Sequence, residues 1–123
     1  MVLSDIHRLL GCRIFWGEDH LDREVIYAGA ADLMSDVLAF TRTGALLLTG
    51  LVNVQTVQTA HIAEMCAVVF VRGKEPDQAM VNFAGEMGIP LLGTSYSMYE
   101  ACGILFRAGI PPTMNSIHPK ESA

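Results

Sequence analysis

Ala67-Val68-Val69-Phe70-Val71 is an unbroken apolar run ended by Arg72-Gly73, and the same design occurs twice more in the chain. Upstream, Ala45-Leu46-Leu47-Leu48-Thr49 ends at Gly50; downstream, Ile89-Pro90-Leu91-Leu92 ends at Gly93-Thr94-Ser95. Successive side chains of a strand point to opposite faces, so a strand wetted on one face alternates apolar and polar residues. These three runs do not alternate. Each is therefore expected to be covered on both faces, as strands of parallel sheets are. Pro90 has no amide hydrogen to donate to a ladder, which assigns it to the first residue of its strand or to a position near an edge.

The segments around these runs carry helical spacing. Met80, Phe83, Ala84 and Met87 recur at i, i+3, i+4 and i+7, with Pro76 opening the helix and Gly88 closing it. Ser97 and Glu100 form a capping box ahead of a stripe of Met98, Ala101, Cys102, Leu105 and Phe106, with Gly109 as the stop. A further helix is expected over 53–64, with Val54, Val57, His61 and Met65 on one face. Asp32 is expected to cap a helix bearing Leu33, Met34, Val37 and Leu38, and Ser4 a short one bearing Ile6, Leu9 and Leu10 and stopped by Gly11. Strand, helix, strand, helix, strand, helix at this spacing implies two right-handed crossovers. The expected fold class is α/β: a single domain with a mainly parallel sheet flanked by helices on both faces. Residues 12–16 and 24–30 read as extra strands on the same or a neighbouring sheet, joined by a polar loop at 17–21. The domain is expected to occupy 1–110, and the Pro-rich, aperiodic stretch 111–123 reads as a flexible C-terminal tail.

Composition narrows the class of function. The 123 residues suit one domain, which at this size buries roughly two thirds of its unfolded surface. Hydrophobic residues make up 51% and charged residues 17%, an imbalance that suggests an apolar surface covered by a second copy. Phe15, Trp16, Tyr27 and the methionine-bearing helix faces are the expected contributors. The net charge of −5 and the eight scattered Lys and Arg residues exclude a nucleic-acid binder, which needs a basic field to displace counterions. Cys12, Cys66 and Cys102 show no Cys-x-x-Cys spacing and read as buried small hydrophobes in a reducing compartment. The start of the chain has Asp5 and no basic, then apolar, leader. The longest strongly apolar run, 65–71, is too short to cross a bilayer. A cytoplasmic protein without a membrane partner is expected.

Open parallel sheets bind ligands beyond the carboxyl ends of their strands. There the chain offers Thr49-Gly50, Arg72-Gly73-Lys74, and Thr94-Ser95 with Ser97, each beside a helix N-terminus, a setting suited to a phosphate or carboxylate. Neither Gly-x-x-x-x-Gly-Lys nor Gly-x-Gly-x-x-Gly occurs, so neither nucleotide turnover nor dinucleotide binding has support. His7, His20, His61 and His118 lack metal spacing. His61 reads as a core or interface residue, and His20, among Glu18, Asp19 and Asp22, as part of a solvated loop. The hydroxyls have no evident base beside them. No metal, cofactor or catalytic residue is assigned.

Taken together, the residues from Gly17 to Gly109 resemble the DRTGG domain family, in the small stand-alone form often found beside iron hydrogenase genes in anaerobic bacteria. The carriers are Gly17-Glu18-Asp19, Leu21-Asp22-Arg23-Glu24-Val25, and Ala31-Asp32-Leu33-Met34-Ser35-Asp36-Val37-Leu38. Leu48-Thr49-Gly50 and Asn53, Val69-Phe70-Val71-Arg72-Gly73-Lys74 with Pro76, Gly88-Ile89-Pro90-Leu91-Leu92, and Tyr99-Glu100-Ala101-Cys102-Gly103-Ile104-Leu105 with Gly109 continue it. The resemblance implies a fold like the N-terminal domain of HPr kinase and a regulatory, often dimer-forming role. Related domains accompany phosphotransacetylases and CBS-containing pyrophosphatases, with no catalytic activity of their own. The chain departs from the namesake motif, reading Leu51-Val52-Asn53 for the Asp-Arg-Thr segment and Arg72-Gly73 for the later Gly-Gly.

Three readings follow. The first is a non-catalytic, homodimeric sensor of a small anionic metabolite or nucleotide, with Thr49, Gly50, Asn53, Gly73, Lys74, Thr94 and Ser95 as the ligand-binding set. The second is a ligand-free interaction domain scaffolding a partner enzyme such as an iron hydrogenase or its maturation factors. The third, ranked last, is an enzyme working through Lys74, Thr94 and Ser95.

Overall fold

In the computed structural model, which describes residues 1–113, the three apolar runs lie side by side. They form β3 (Ala45–Thr49), β4 (Ala67–Phe70) and β5 (Leu91–Gly93), inside a five-stranded sheet completed by β1 (Arg13–Trp16) and β2 (Tyr27–Ala30). The order is β1-β5-β4-β3-β2. β2, β3, β4 and β5 are mutually parallel, with Ala28 opposite Leu46, Leu47 opposite Val68, and Val69 opposite Leu92. β1 runs antiparallel along the outer side of β5, with a slip of register between Ile14 and Trp16. Both segments expected to be extra strands thus join the same sheet, one at each edge.

Helices α1 (Leu3–Leu10), α2 (Met34–Phe40), α3 (Val54–Ile62), α4 (Gln78–Met87) and α5 (Met98–Arg107) cover the two faces. Leu46, Leu48, Ala67, Val69 and Leu92 point to one face, where they meet Leu3, Ile6 and Leu10 of α1 and Ala101 and Leu105 of α5. Ala45, Leu47, Val68, Phe70 and Leu91 point to the other, against Met34 and Val37 of α2, Val57 and Ala60 of α3, and Met80 and Ala84 of α4. The runs lack polar alternation because both pleat faces are buried.

Several local expectations are corrected. α4 begins after Asp77, whose carboxylate accepts the Met80 amide at 2.9 Å, so Pro76 precedes the cap and does not open the helix. Ser4 lies inside α1, and the amide of Val2 is held instead by the Asp5 carboxylate at 2.9 Å. Asp32 does not cap α2: Leu33 takes the cap position, and the Asp32 carboxylate is engaged elsewhere. Pro90 sits immediately before β5, its carbonyl accepting the Val68 amide at 3.0 Å. α3 buries Thr56, Val57, Thr59 and Ala60, while His61 and Val54 are exposed. Thr56 can occupy the core face because its hydroxyl donates to the Leu51 carbonyl at 2.7 Å, leaving only its methyl to pack. The Ser97–Glu100 capping box and the Gly11 and Gly88 stops stand as read.

Residues 111–113 lie along the free side of β2. The Ala28 amide donates to the Pro111 carbonyl at 3.0 Å, and the Thr113 amide donates to the Ala28 carbonyl at 2.9 Å. Gly29 permits this approach, since a Cβ there would stand 2.5 Å from the Thr113 methyl. The remainder of the expected tail, with His118, lies outside the described residues. Cys12 and Cys66 are buried and their thiols are pushed up to about 12 by burial, which makes them poor nucleophiles. Among the described residues no helix is long and apolar enough to cross a membrane.

Candidate functional site

The parallel strands all end on one side of the sheet, and the loops leaving them are tied together by Asp32. Asp32 follows β2, and its Oδ1 accepts the Thr49 hydroxyl at 2.9 Å and the Gly50 amide at 2.8 Å. From the next loop, Lys74 reaches back and donates Nζ to the Gly50 carbonyl at 2.7 Å. Gly50 is thereby held by its amide on one side and its carbonyl on the other. A Cβ added to it would lie 3.6 Å from Lys74 Nζ and 3.7 and 3.8 Å from the two Asp32 oxygens, so both charged groups stand close over the glycine.

The end of β5 is laced to the end of β4. The Arg72 amide donates to the Tyr96 carbonyl at 2.8 Å and the Gly73 amide to the Thr94 carbonyl at 2.9 Å. These bonds hold Arg72 in the left-handed region, at φ 61, a conformation that costs a residue other than glycine roughly 1 kcal/mol or more. The Arg72 guanidinium makes no hydrogen bond or ion pair among the described residues, whose ion pairs are Arg8–Asp5 and Arg13–Glu75.

The residues expected to bind a ligand divide by what their polar groups already do. Thr49 is fully buried, donating to Asp32 and accepting the Leu51 amide at 3.1 Å. Thr94 is also buried, and its hydroxyl donates to the Leu10 carbonyl at 2.7 Å. Asn53 caps α3 by accepting the Thr56 amide at 3.1 Å. The amides of Gly50 and Gly73 are spent inside the loops. Ser95 is exposed, and Lys74 is half-buried with one of its three N–H groups engaged. The Gly50 and Gly73 amides are thus occupied, and the charged donors left for an anion are the side chains of Lys74 and Arg72, with Ser95 exposed. Sequence reasoning missed Asp32, which looked like an ordinary helix cap, and left Arg72 out of the set.

The Asp32 carboxyl is held below its ordinary value of 3.8, first by the Gly50 amide, then by the Thr49 hydroxyl, with the charges of Lys74 and Arg72 adding to the effect. A carboxyl depressed by folding contributes stability that is present above its unfolded pKa and lost as pH falls through the folded one. Wild type is therefore expected to lose stability below about pH 4 more steeply than Asp32→Asn, as urea midpoints measured across acid pH would report. Equal slopes would show that these hydrogen bonds do not couple to folding. Asp5, depressed by the Val2 amide and Arg8, titrates in both proteins and cancels in the comparison. Thr94→Val keeps the shape but leaves the Leu10 carbonyl unpaired. It is expected to cost about 1–3 kcal/mol in urea denaturation, and an unchanged midpoint would refute that role.

A concavity lies elsewhere, between α5 and the uncovered part of β2. It is a groove of about 460 Å³ lined by Ala28, Gly29, Ala30, Cys102, Gly103 and Leu105, with Tyr99 and Phe106 also at its wall. Tyr99 is 89% exposed and Phe106 73%. Phe15, Trp16 and Tyr27, expected at an apolar interface, are half-buried. Phe15 and Tyr27 pack against the core, and Trp16 stacks on His20 with ring centroids 5.1 Å apart. His20 also lies 3.4 Å from Arg23 through Nδ1, and no metal-holding cluster occurs among the described residues.

No family model and no curated protein sequence matches the chain. The fold does match a solved structure, the CBS and DRTGG domains of the regulatory region of Clostridium perfringens pyrophosphatase complexed with its activator, diadenosine tetraphosphate. The TM-score is 0.72 at 13% sequence identity, covering 94% of this chain and 50% of that one. This chain thus spans half the length of that structure, and the likeness is one of fold. It supports a DRTGG-like α/β fold, as the sequence resemblance implied.

Proposed function

We propose that this chain, with a fold shared by a pyrophosphatase regulatory region, is a non-catalytic, homodimeric, cytoplasmic sensor of a small anionic metabolite or nucleotide. The ligand sits at the strand ends, on Lys74 and Arg72, with Gly50, Asn53, Gly73 and Ser95 around it and Thr49 and Thr94 fixing the loops beneath. The observation that carries this reading is the pair of cationic side chains converging on one loop cluster, one of them held in a strained backbone conformation, with no ion-pair partner for either among the described residues. A phosphate contact to Lys74 is charge-assisted and worth about 1.5–3 kcal/mol. A thermal-shift screen against nucleotides and phosphorylated metabolites, followed by calorimetry, tests it. Lys74→Ala is expected to weaken the best hit roughly 10- to 100-fold while the fold survives. Unchanged affinity would place the ligand elsewhere. The buried hydroxyls of Thr49 and Thr94 favour a regulatory role over an enzyme working through the strand-end threonines.

The second reading is a ligand-free interaction domain for a partner enzyme, such as an iron hydrogenase or its maturation factors, in keeping with the stand-alone, hydrogenase-associated form that the sequence resembles. The apolar groove beside α5, with Tyr99 and Phe106 standing out of it, favours this reading. The same surface supports self-association, because a monomer rarely leaves such a patch bare. Light scattering at tens of micromolar separates the cases. A dimeric mass supports the homodimer, and a monomeric mass in a chain that no anion stabilises favours the partner-enzyme reading.

A further inference from the structure

We infer that Asp32 and Lys74 act as the two halves of one site for a phosphate ester carrying a neighbouring hydroxyl, the pattern of sugar phosphates and nucleotides. The inference rests on the anion reading above and specifies the chemistry of its ligand. Lys74 Nζ has two N–H groups left after its bond to Gly50, and the Arg72 guanidinium has no partner among the described residues. These suit the phosphate. Asp32 Oδ2 stands 3.8 Å from where a Gly50 Cβ would be, close to the 3.6 Å of Lys74 Nζ, while both hydrogen bonds to that carboxylate fall on Oδ1. Oδ2 is a charged acceptor to which nothing among the described residues donates. It repels a bare anion but accepts a hydroxyl, so it selects ligands that place a hydroxyl beside the phosphate. Gly50 has no positive φ requirement. A Cβ there would make only ordinary contacts at 3.6–3.8 Å, so the fold does not demand glycine, whereas a ligand seated against both charged groups would.

The test is calorimetry of the full chain with two probes, ribose 5-phosphate and inorganic phosphate. Wild type is expected to bind ribose 5-phosphate about tenfold or more tightly than phosphate. Lys74→Ala weakens both. Asp32→Asn keeps an acceptor for Thr49 and Gly50 but removes the charge, so it holds or strengthens phosphate binding while the advantage of ribose 5-phosphate collapses. A merely structural Asp32 would weaken both probes together, and that result overturns the inference. Gly50→Ala leaves the Asp32 hydrogen bonds in place and should weaken ribose 5-phosphate more than phosphate. It carries the test if Asp32→Asn does not fold. Failure of wild type to bind either probe defeats the anion reading itself. Equal binding of both probes, or an advantage that survives in Asp32→Asn and Gly50→Ala, leaves the anion reading standing and overturns the role of Asp32.

Discussion

Phe70→Ala is expected to lower the stability of the folded chain by about 3–5 kcal/mol, a large share of the roughly 5–15 kcal/mol that holds a domain of this class together. Phe70 has no exposed surface and is the largest fully buried side chain of the described core. It closes the central strand β4, with Thr49 opposite it on one side and Gly93 on the other. Its ring shares a cluster with Val57 and Ala60 of α3 and with Met80 and Ala84 of α4. The alanines and the glycine around it have no side chain long enough to move into the space left behind, so a cavity term adds to the lost transfer energy. Urea denaturation should show a lower midpoint with an unchanged slope. Tyr99→Ala, which removes an aromatic ring that is 89% exposed, is the control and should stay within about 0.5 kcal/mol. A Phe70→Ala midpoint as close to wild type as the control's would mean that the core repacks.

Gly17→Ala is expected to cost about 2–5 kcal/mol, from a left-handed backbone and an overpacked contact together. Gly17 has φ 101 and ψ 23. A Cβ there would stand 2.7 Å from Pro90 Cβ and 2.9 Å from Pro90 Cα. The register explains the crowding: Trp16 pairs with Leu91, so the residue that follows β1 lands on the residue preceding β5. The proline is ring-locked and its backbone is tied to Val68, so it cannot retreat. Gly88→Ala provides the comparison. Gly88 also has a positive φ, of 72, but nothing lies within 4 Å of its would-be Cβ. That variant should lose only the backbone share, about 1–2 kcal/mol. If the two alanines cost the same, the Pro90 contact contributes nothing and β1 adjusts freely at its edge.

What the sequence determined by itself is the central architecture. Five consecutive apolar residues at 67–71, repeated in kind at 45–49 and 89–92, could satisfy both pleat faces only inside a layered α/β sheet, so adjacency and parallel direction followed from patterning alone. Helix stops at Gly11 and Gly88 and the Ser97–Glu100 box were equally legible, because each rests on a local conformational preference. What only the tertiary structure decided is where polar side chains reach. Asp32 looks like an N-cap from its neighbours in sequence, yet its partners, Thr49 and Gly50, stand seventeen and eighteen residues away. Thr94 looks like a ligand-facing hydroxyl, yet its partner is the carbonyl of Leu10, eighty-four residues away. The polar tone of 17–21 likewise conceals a glycine pressed against Pro90. Apolar periodicity is a local signal, since burial needs only a face. A hydrogen bond needs one particular partner at one distance and angle, and that partner exists only once the strands are placed side by side.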